Sequence, residues 1–143
     1  MQVSTRLENR PATDIVWCGP DEKLGNAVRM LAQRRIGAMP VMEGERVIGI
    51  ISERDVMYCL AADGAAALEK PVSGAMTAPA VTVECSASCD DTLALMTERR
   101  FRHVPVVENG AMRGFLSIGD LVKSRIDEIS HEARAMRDYI SMA

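Results

Sequence analysis

Two stretches of this chain carry the residue types and spacing that anion and sugar chemistry needs: Gly49-x-x-Ser52-x-x-Asp55 and Gly114-x-x-Ser117-x-x-Asp120. A glycine inside a strand lets another backbone come close. The serine then stands where a strand ends and a helix begins, and a helix start presents unpaired N–H groups and partial positive charge that suit a phosphate. Ser52 and Ser117 each add a hydroxyl donor. Three residues on, Asp55 and Asp120 are placed to accept hydrogen bonds from ribose hydroxyls, as acidic residues do in dinucleotide-binding folds. The same Ser-x-x-Asp spacing is also nearly a capping box, in which serine and the third residue exchange hydrogen bonds with each other's backbone. The two readings are compatible, and both stay open at this point.

The elements that must hold these turns repeat. Shifting the chain by 65 positions lays the segment from Arg34 on the segment from Arg99 without a gap. Arg34, Arg35, Pro40, Val41, Glu43, Gly49, Ser52 and Asp55 fall on identical residues, an internal duplication that sets the architecture. Each copy starts with a short apolar strand, Ile15–Trp17 or Val81–Val83. A helix follows, shown by Leu24, Val28 and Leu31 in one copy and by Cys89, Leu93 and Met96 in the other. Two strands come next, Met39–Met42 with Val47–Ile51, and Val104–Val107 with Met112–Leu116. Gly44 in the first hairpin, and Asn109 with Gly110 in the second, supply the tight turns. A second helix opens after each serine. The last one continues as a long amphipathic helix, with Ile118, Leu121, Val122, Ile126, Ile129, Ala133, Met136 and Ile140 at three- and four-residue steps. Its apolar stripe must be buried against the body or against another subunit.

The copies differ where a phosphate would lie. Arg54 offers a guanidinium fork in the first, and its counterpart is Gly119 in the second. The Asp55 side is therefore expected to hold the more highly charged end of a ligand.

Composition bounds the rest. The chain has 143 residues, 48% apolar and 26% charged, which is enough for one compact unit with its own core. Aromatic residues make up only 3%, which argues against base-stacking surfaces, and a net charge of −3 gives no overall pull toward nucleic acid or acidic membranes. There is no secretory signal and no run of membrane-spanning length. Cys18, Cys59, Cys85 and Cys89 follow no disulfide pattern, so a cytoplasmic, reducing setting is expected. Cys85 and Cys89 lack a second pair of metal ligands, with only His103 and His131 elsewhere. Asp90 and Asp91 suit the start of a helix. The basic residues around Arg99–His103, with Lys123 and Arg125, fit a phosphate better than nucleic acid. No nucleophile stands with a matching base, and no catalysis is expected.

The duplicated strand–hairpin–helix unit, its Met39-Pro40-Val41 and Val104-Pro105-Val106 strands, and the two closing turns resemble the CBS domain family, named after cystathionine β-synthase. The resemblance covers about residues 14–123. It implies an α/β (α+β) fold of two βαββα repeats packed about a pseudo-twofold axis. On it the chain divides into repeat 1 (14–62), a connector (63–78), repeat 2 (79–125) and a C-terminal helical extension (126–143). It further implies nucleotide clefts between the repeats, with Asp55 facing the second copy's Phe101–Pro105 and Asp120 the first copy's Ile36–Pro40. Strand backbone at Gly37, Ala38 and Met39, and at Arg102, His103 and Val104, would read the adenine edge, with Ile15 and Val81 flooring the pockets. For the apolar members, plain core packing is the competing account.

The expectation is a stand-alone regulatory module for AMP, ATP or an NAD-type dinucleotide, with no cofactor required, forming a homodimer and acting on a partner the sequence does not name. A structural dimerisation module with degenerate sites is the alternative.

Overall fold

The hairpins form where the turn chemistry places them. In the computed structural model, which describes residues 1–142, strands β1 (Ala38–Glu43) and β2 (Arg46–Ser52) pair antiparallel, as do β4 (His103–Glu108) and β5 (Ala111–Ser117). Gly44 turns the first at φ +63°, and Asn109 and Gly110 turn the second at φ +52° and +80°. Both hairpins carry a register shift at the same repeat position, between Val41 and Met42 and between Val106 and Val107.

Each hairpin sits between two helices. Helix α2 (Leu24–Arg34) precedes β1 and α3 (Glu53–Asp63) follows β2, while α4 (Cys89–Arg99) and α5 (Ile118–Met142) flank the second hairpin. Helices α2 and α4 both end on an arginine in the left-handed region, Arg35 at φ +53° and Arg100 at φ +59°. Leu24, Ala27 and Leu31 from α2 pack with Met39, Val41, Ile51 and Val56 into one core. Cys89 and Met96 pack with Val104, Val106, Leu116 and Leu121 into the other. The repeats meet along β2 and β5, and across the hairpin tips Met112 N–H donates to the Glu45 carbonyl at 3.1 Å.

The leading strands depart from expectation. Ile15–Trp17 form no strand; one residue later Cys18 alone bridges β1, its N–H to the Pro40 carbonyl and its carbonyl from Met42 N–H. Gly19 and Pro20 then turn the chain away before pairing extends. In the second copy, β3 is the two residues Val83–Glu84, parallel to Val106–Val107, and Val81 lies upstream of it.

The segments before each repeat are exchanged. Helix α1 (Val3–Arg6) docks on the second repeat, where Val3 is wholly buried and Leu7 packs over Gly114. The stretch Val72–Thr77 docks on the first, with Val72 buried and Thr77 bridging Ile50 through two backbone hydrogen bonds of 2.9 and 3.0 Å. Ala67 and Val72, in what reads as connector, thus belong to the first repeat's core. Among the described residues no helix is long and apolar enough to cross a membrane.

Candidate functional site

Both Ser-x-x-Asp turns fold as capping boxes. Ser52 N–H and Oγ each donate to Asp55 Oδ2 at 2.9 Å, and Asp55 N–H returns to Ser52 Oγ at 3.3 Å. Ser117 and Asp120 repeat the pattern at 2.8, 3.1 and 3.2 Å. Each turn also spends the first helical amide, for Glu53 N–H donates to the Gly37 carbonyl at 3.0 Å and Ile118 N–H to the Arg102 carbonyl at 2.7 Å. The amides expected to be free for a phosphate are therefore largely engaged, because residues 37 and 102 close onto the helix starts. A phosphate here must rely on side chains.

The second carboxylate oxygen separates the two turns. Asp55 Oδ1 accepts from the neutral Thr77 hydroxyl at 3.0 Å, whereas Asp120 Oδ1 lies 3.3 Å from the Arg10 guanidinium. Thr77 and Arg10 both come from the exchanged segments, so a repeat unit considered alone could not reveal them. Burial pushes the Asp120 carboxyl up, but the Ser117 backbone N–H, the Arg10 charge and the Ser117 hydroxyl outweigh it, and the group ends below its usual range. Arg54 is exposed in the first turn of α3, with no ion-pair partner among the described residues.

The strand glycines serve the exchange. A Cβ on Gly49 would stand 2.7 Å from Met76 Sδ and 2.9 Å from the Thr77 carbonyl oxygen, and one on Gly114 would overlap the Leu7 side chain. The close approach expected at Gly49 is real, and what approaches is the chain's own segment.

Across the repeat boundary, Gly37 meets His103. A Cβ on Gly37 would lie 3.7 Å from His103 Cε1 and 3.8 Å from the Glu53 carboxyl. His103 stacks on Phe115 with centroids 5.5 Å apart and planes 13° from parallel. Burial pulls its imidazole pKa down, Asp120 and Glu53 pull it up, Arg102 pushes it down, and the result is lowered. Glu53, which sequence reasoning passed over, is thus the carboxylate beside Gly37 and His103. Its repeat counterpart is the uncharged Ile118, a difference visible in the sequence once the copies are laid together.

Ala38, Met39 and Val104 have buried side chains, and Met39 and Val104 sit in the two cores, so these residues can offer a ligand only their backbone. That backbone is covered as well, for Met39 and Val104 have no exposed surface and Ala38 only 3%. Beyond the Cys18 bridge on β1, and before the β3 pairing on β4, no further strand pairs outside Ala38–Met39 or His103–Val104 among the described residues. Ile15 is half-buried and lines a depression of about 470 Å³ with Asp14, Trp17 and Arg34. Arg102 is exposed and Val81 half-buried. Among the described residues, no three His, Cys, Asp or Glu side chains gather as a metal site.

The CBS domain profile matches residues 7–62 and 72–127, two matches offset by 65 residues. The mitochondrial CBS domain-containing protein CBSX3 of Arabidopsis thaliana is 32% identical over 130 residues, which span 87% of this chain and 63% of that protein. YlbB of Bacillus subtilis is 30% identical over 82% of this chain and 80% of its own length. An inosine-5'-monophosphate dehydrogenase of Mycobacterium bovis matches at 29%, over only 23% of the enzyme. Among solved structures, a CBS-domain containing protein of Agrobacterium tumefaciens superposes with a TM-score of 0.81 at 41% identity, covering 87% of this chain and 99% of that one. The fold also matches CBSX2 in complex with AMP (TM-score 0.72, 24% identity, 82% of this chain and 91% of that one). It matches the CBS domain pair of MJ0100 in complex with 5'-methylthioadenosine and S-adenosyl-L-methionine as well (TM-score 0.74, 18% identity, 90% and 98%). With two profile matches over most of its length, repeats in register and closing turns of one geometry, this chain belongs to the CBS domain family as a tandem pair.

Proposed function

We propose that this CBS pair is a regulatory module that takes an adenine-containing ligand, AMP, ATP or an NAD-type dinucleotide, between its repeats, and works as a homodimer on a regulated partner protein. The observation that carries the reading is the duplicated aspartate. In each turn one carboxylate oxygen is fixed by the cap while the other is held by a single side chain from an exchanged segment. A ribose diol can take the place of the Thr77 hydroxyl or the Arg10 guanidinium without dismantling the helix start. Among the described residues no further strand pairs outside Ala38–Met39 or His103–Val104, so an adenine edge that displaces what now covers them would meet backbone donors and acceptors there. The ligand-bound relatives, with AMP and with 5'-methylthioadenosine and S-adenosyl-L-methionine, share the adenosine group, and that group defines the ligand class proposed here.

Ligand-dependent melting tests this directly. Binding to the folded state alone raises Tm with ligand concentration over Kd. A rise with AMP, ATP, NAD or S-adenosyl-L-methionine, reduced in Asp55→Ala, supports the module. A second reading, a structural dimerisation module with degenerate sites, is favoured by the engaged amides and by the Arg10–Asp120 pair. A Tm that is flat across all four ligands selects it.

A further inference from the structure

Helix α5 leaves the body after Glu128. Leu121 and Ser124 are buried where α5 meets α4, Glu128 is half-buried, and every described residue from Ile129 to Met142 is exposed. That projecting segment is about 21 Å of helix at about 1.5 Å per residue. A helix of such length with no tertiary packing is marginal in water, so a partner is needed to hold it.

Its apolar residues are ordered. Val122, Ile126, Ile129, Ala133, Met136 and Ile140 are spaced four, three, four, three and four apart. This places Val122, Ile129 and Met136 at d positions of a heptad and Ile126, Ala133 and Ile140 at a positions. Such a narrow seam, rather than a broad amphipathic face, is what two supercoiled helices bury against each other. The seam lies open: Val122 is 42% exposed, Ile126 56%, Ile129 50%, Met136 61% and Ile140 64%. It runs roughly a third of a turn round the helix from the Leu121–Ser124–Glu128 face, so the body does not cover it.

The flanking charges select the partner and its direction. Arg125 and Glu132 occupy g positions, and Lys123, Ser130 and Arg137 occupy e positions. In a parallel, in-register pair each Glu132 faces Arg137 of the other helix, twice by symmetry. An antiparallel pair that covers the whole seam sets Ile126 against Met136. It then brings Glu132 opposite Glu132 and Lys123 opposite Arg137, both repulsive. Sliding that register in either direction uncovers one end of the seam.

We propose that Val122–Ile140 of two copies of this chain pair as a parallel two-stranded coiled coil, with Glu132 of each facing Arg137 of the other. The proposal rests on the homodimer reading above and is independent of the ligand.

Sedimentation equilibrium of the full chain over a concentration series tests it, using substitutions at exposed positions. The wild type is expected to be a dimer. Glu132→Arg and Arg137→Glu alone should each weaken it roughly tenfold, as expected for two lost pairs and two new repulsions. The two substitutions together should restore it. Ala133→Ile, which fills a small layer of the seam, should tighten it at least about tenfold. A monomeric wild type overturns the homodimer reading and this proposal together. A dimer indifferent to all four variants overturns the seam alone and moves the contact elsewhere, for instance to the exposed Met57, Tyr58 and Leu60 of α3. A dimer tightened by Arg137→Glu overturns the parallel direction.

Discussion

Arg10 lies 3.3 Å from Asp120 across the junction between the N-terminal segment and the second repeat, where the first repeat sets the Thr77 hydroxyl 3.0 Å from Asp55. Two turns of matching backbone thus present a carboxylate paired with a cation in one case and with a neutral hydroxyl in the other. A ligand hydroxyl that replaces Thr77 exchanges one neutral partner for another. One that replaces Arg10 must break an ion pair, although the freed guanidinium can then meet a phosphate. The two clefts should therefore be unequal.

Calorimetry should show this. Asp55→Ala and Asp120→Ala are expected to lower affinity for an adenine nucleotide by different factors. Arg54→Ala should cost ATP binding more than adenosine binding, since only the phosphates engage its fork. Equal losses from both aspartates would remove the asymmetry.

The same aspartates have a stability role that needs no ligand. Ser52→Ala or Ser117→Ala removes a capping acceptor and should cost about 0.5–2 kcal/mol in urea unfolding. For Asp120 the loss has a pH signature. Its folded carboxyl lies below its unfolded value, so its contribution is complete above about pH 4, the unfolded range, and is lost as pH falls through the folded pKa. The gap between wild type and Asp120→Asn should close on the acid side. A gap constant down to the lowest accessible pH would count against the assignment.

His103 acts in a different window. Its folded pKa lies below the unfolded value, so protonation favours the unfolded chain, and stability falls as pH drops below about 6.5 toward the folded pKa. His103→Phe keeps a ring against Phe115 and should flatten the profile between about pH 7 and pH 5.

Arg35 and Arg100 hold the left-handed conformation at the ends of α2 and α4. That region costs a residue with a side chain about 1–2 kcal/mol, and glycine takes it freely. Arg35→Gly and Arg100→Gly should each raise the unfolding midpoint, unless the guanidinium makes a contact of its own. Unchanged or lower midpoints would reveal such a contact.

Much of this was legible in the sequence, and the reason is local. The hairpins follow from Gly44, Asn109 and Gly110, the helices from three- and four-residue apolar spacing, and the duplication from eight identities at one offset. The elements misread were short and decided by tertiary contact. Ile15–Trp17 has the residues of a strand, yet Gly19 and Pro20 end the pairing after Cys18. Val3, Leu7 and Val72 gave no sign of which repeat they would cover, because that choice depends on packing between segments far apart in the sequence. For the site, the capping geometry was visible as a pattern, but the commitment of the first helical amides to Gly37 and Arg102 was not. Arg10 and Thr77 reach the aspartates only through the exchanged segments.

The exchange also governs how the molecule comes apart. Because Leu7 fills the space over Gly114 and Val72 completes the core beside Leu24, neither repeat owns all of its own interior. A single cut in the exposed stretch 61–66 should yield two fragments that stay associated and melt together, and neither should refold without the other. The pair is the folding unit, and each half serves as the other's missing piece.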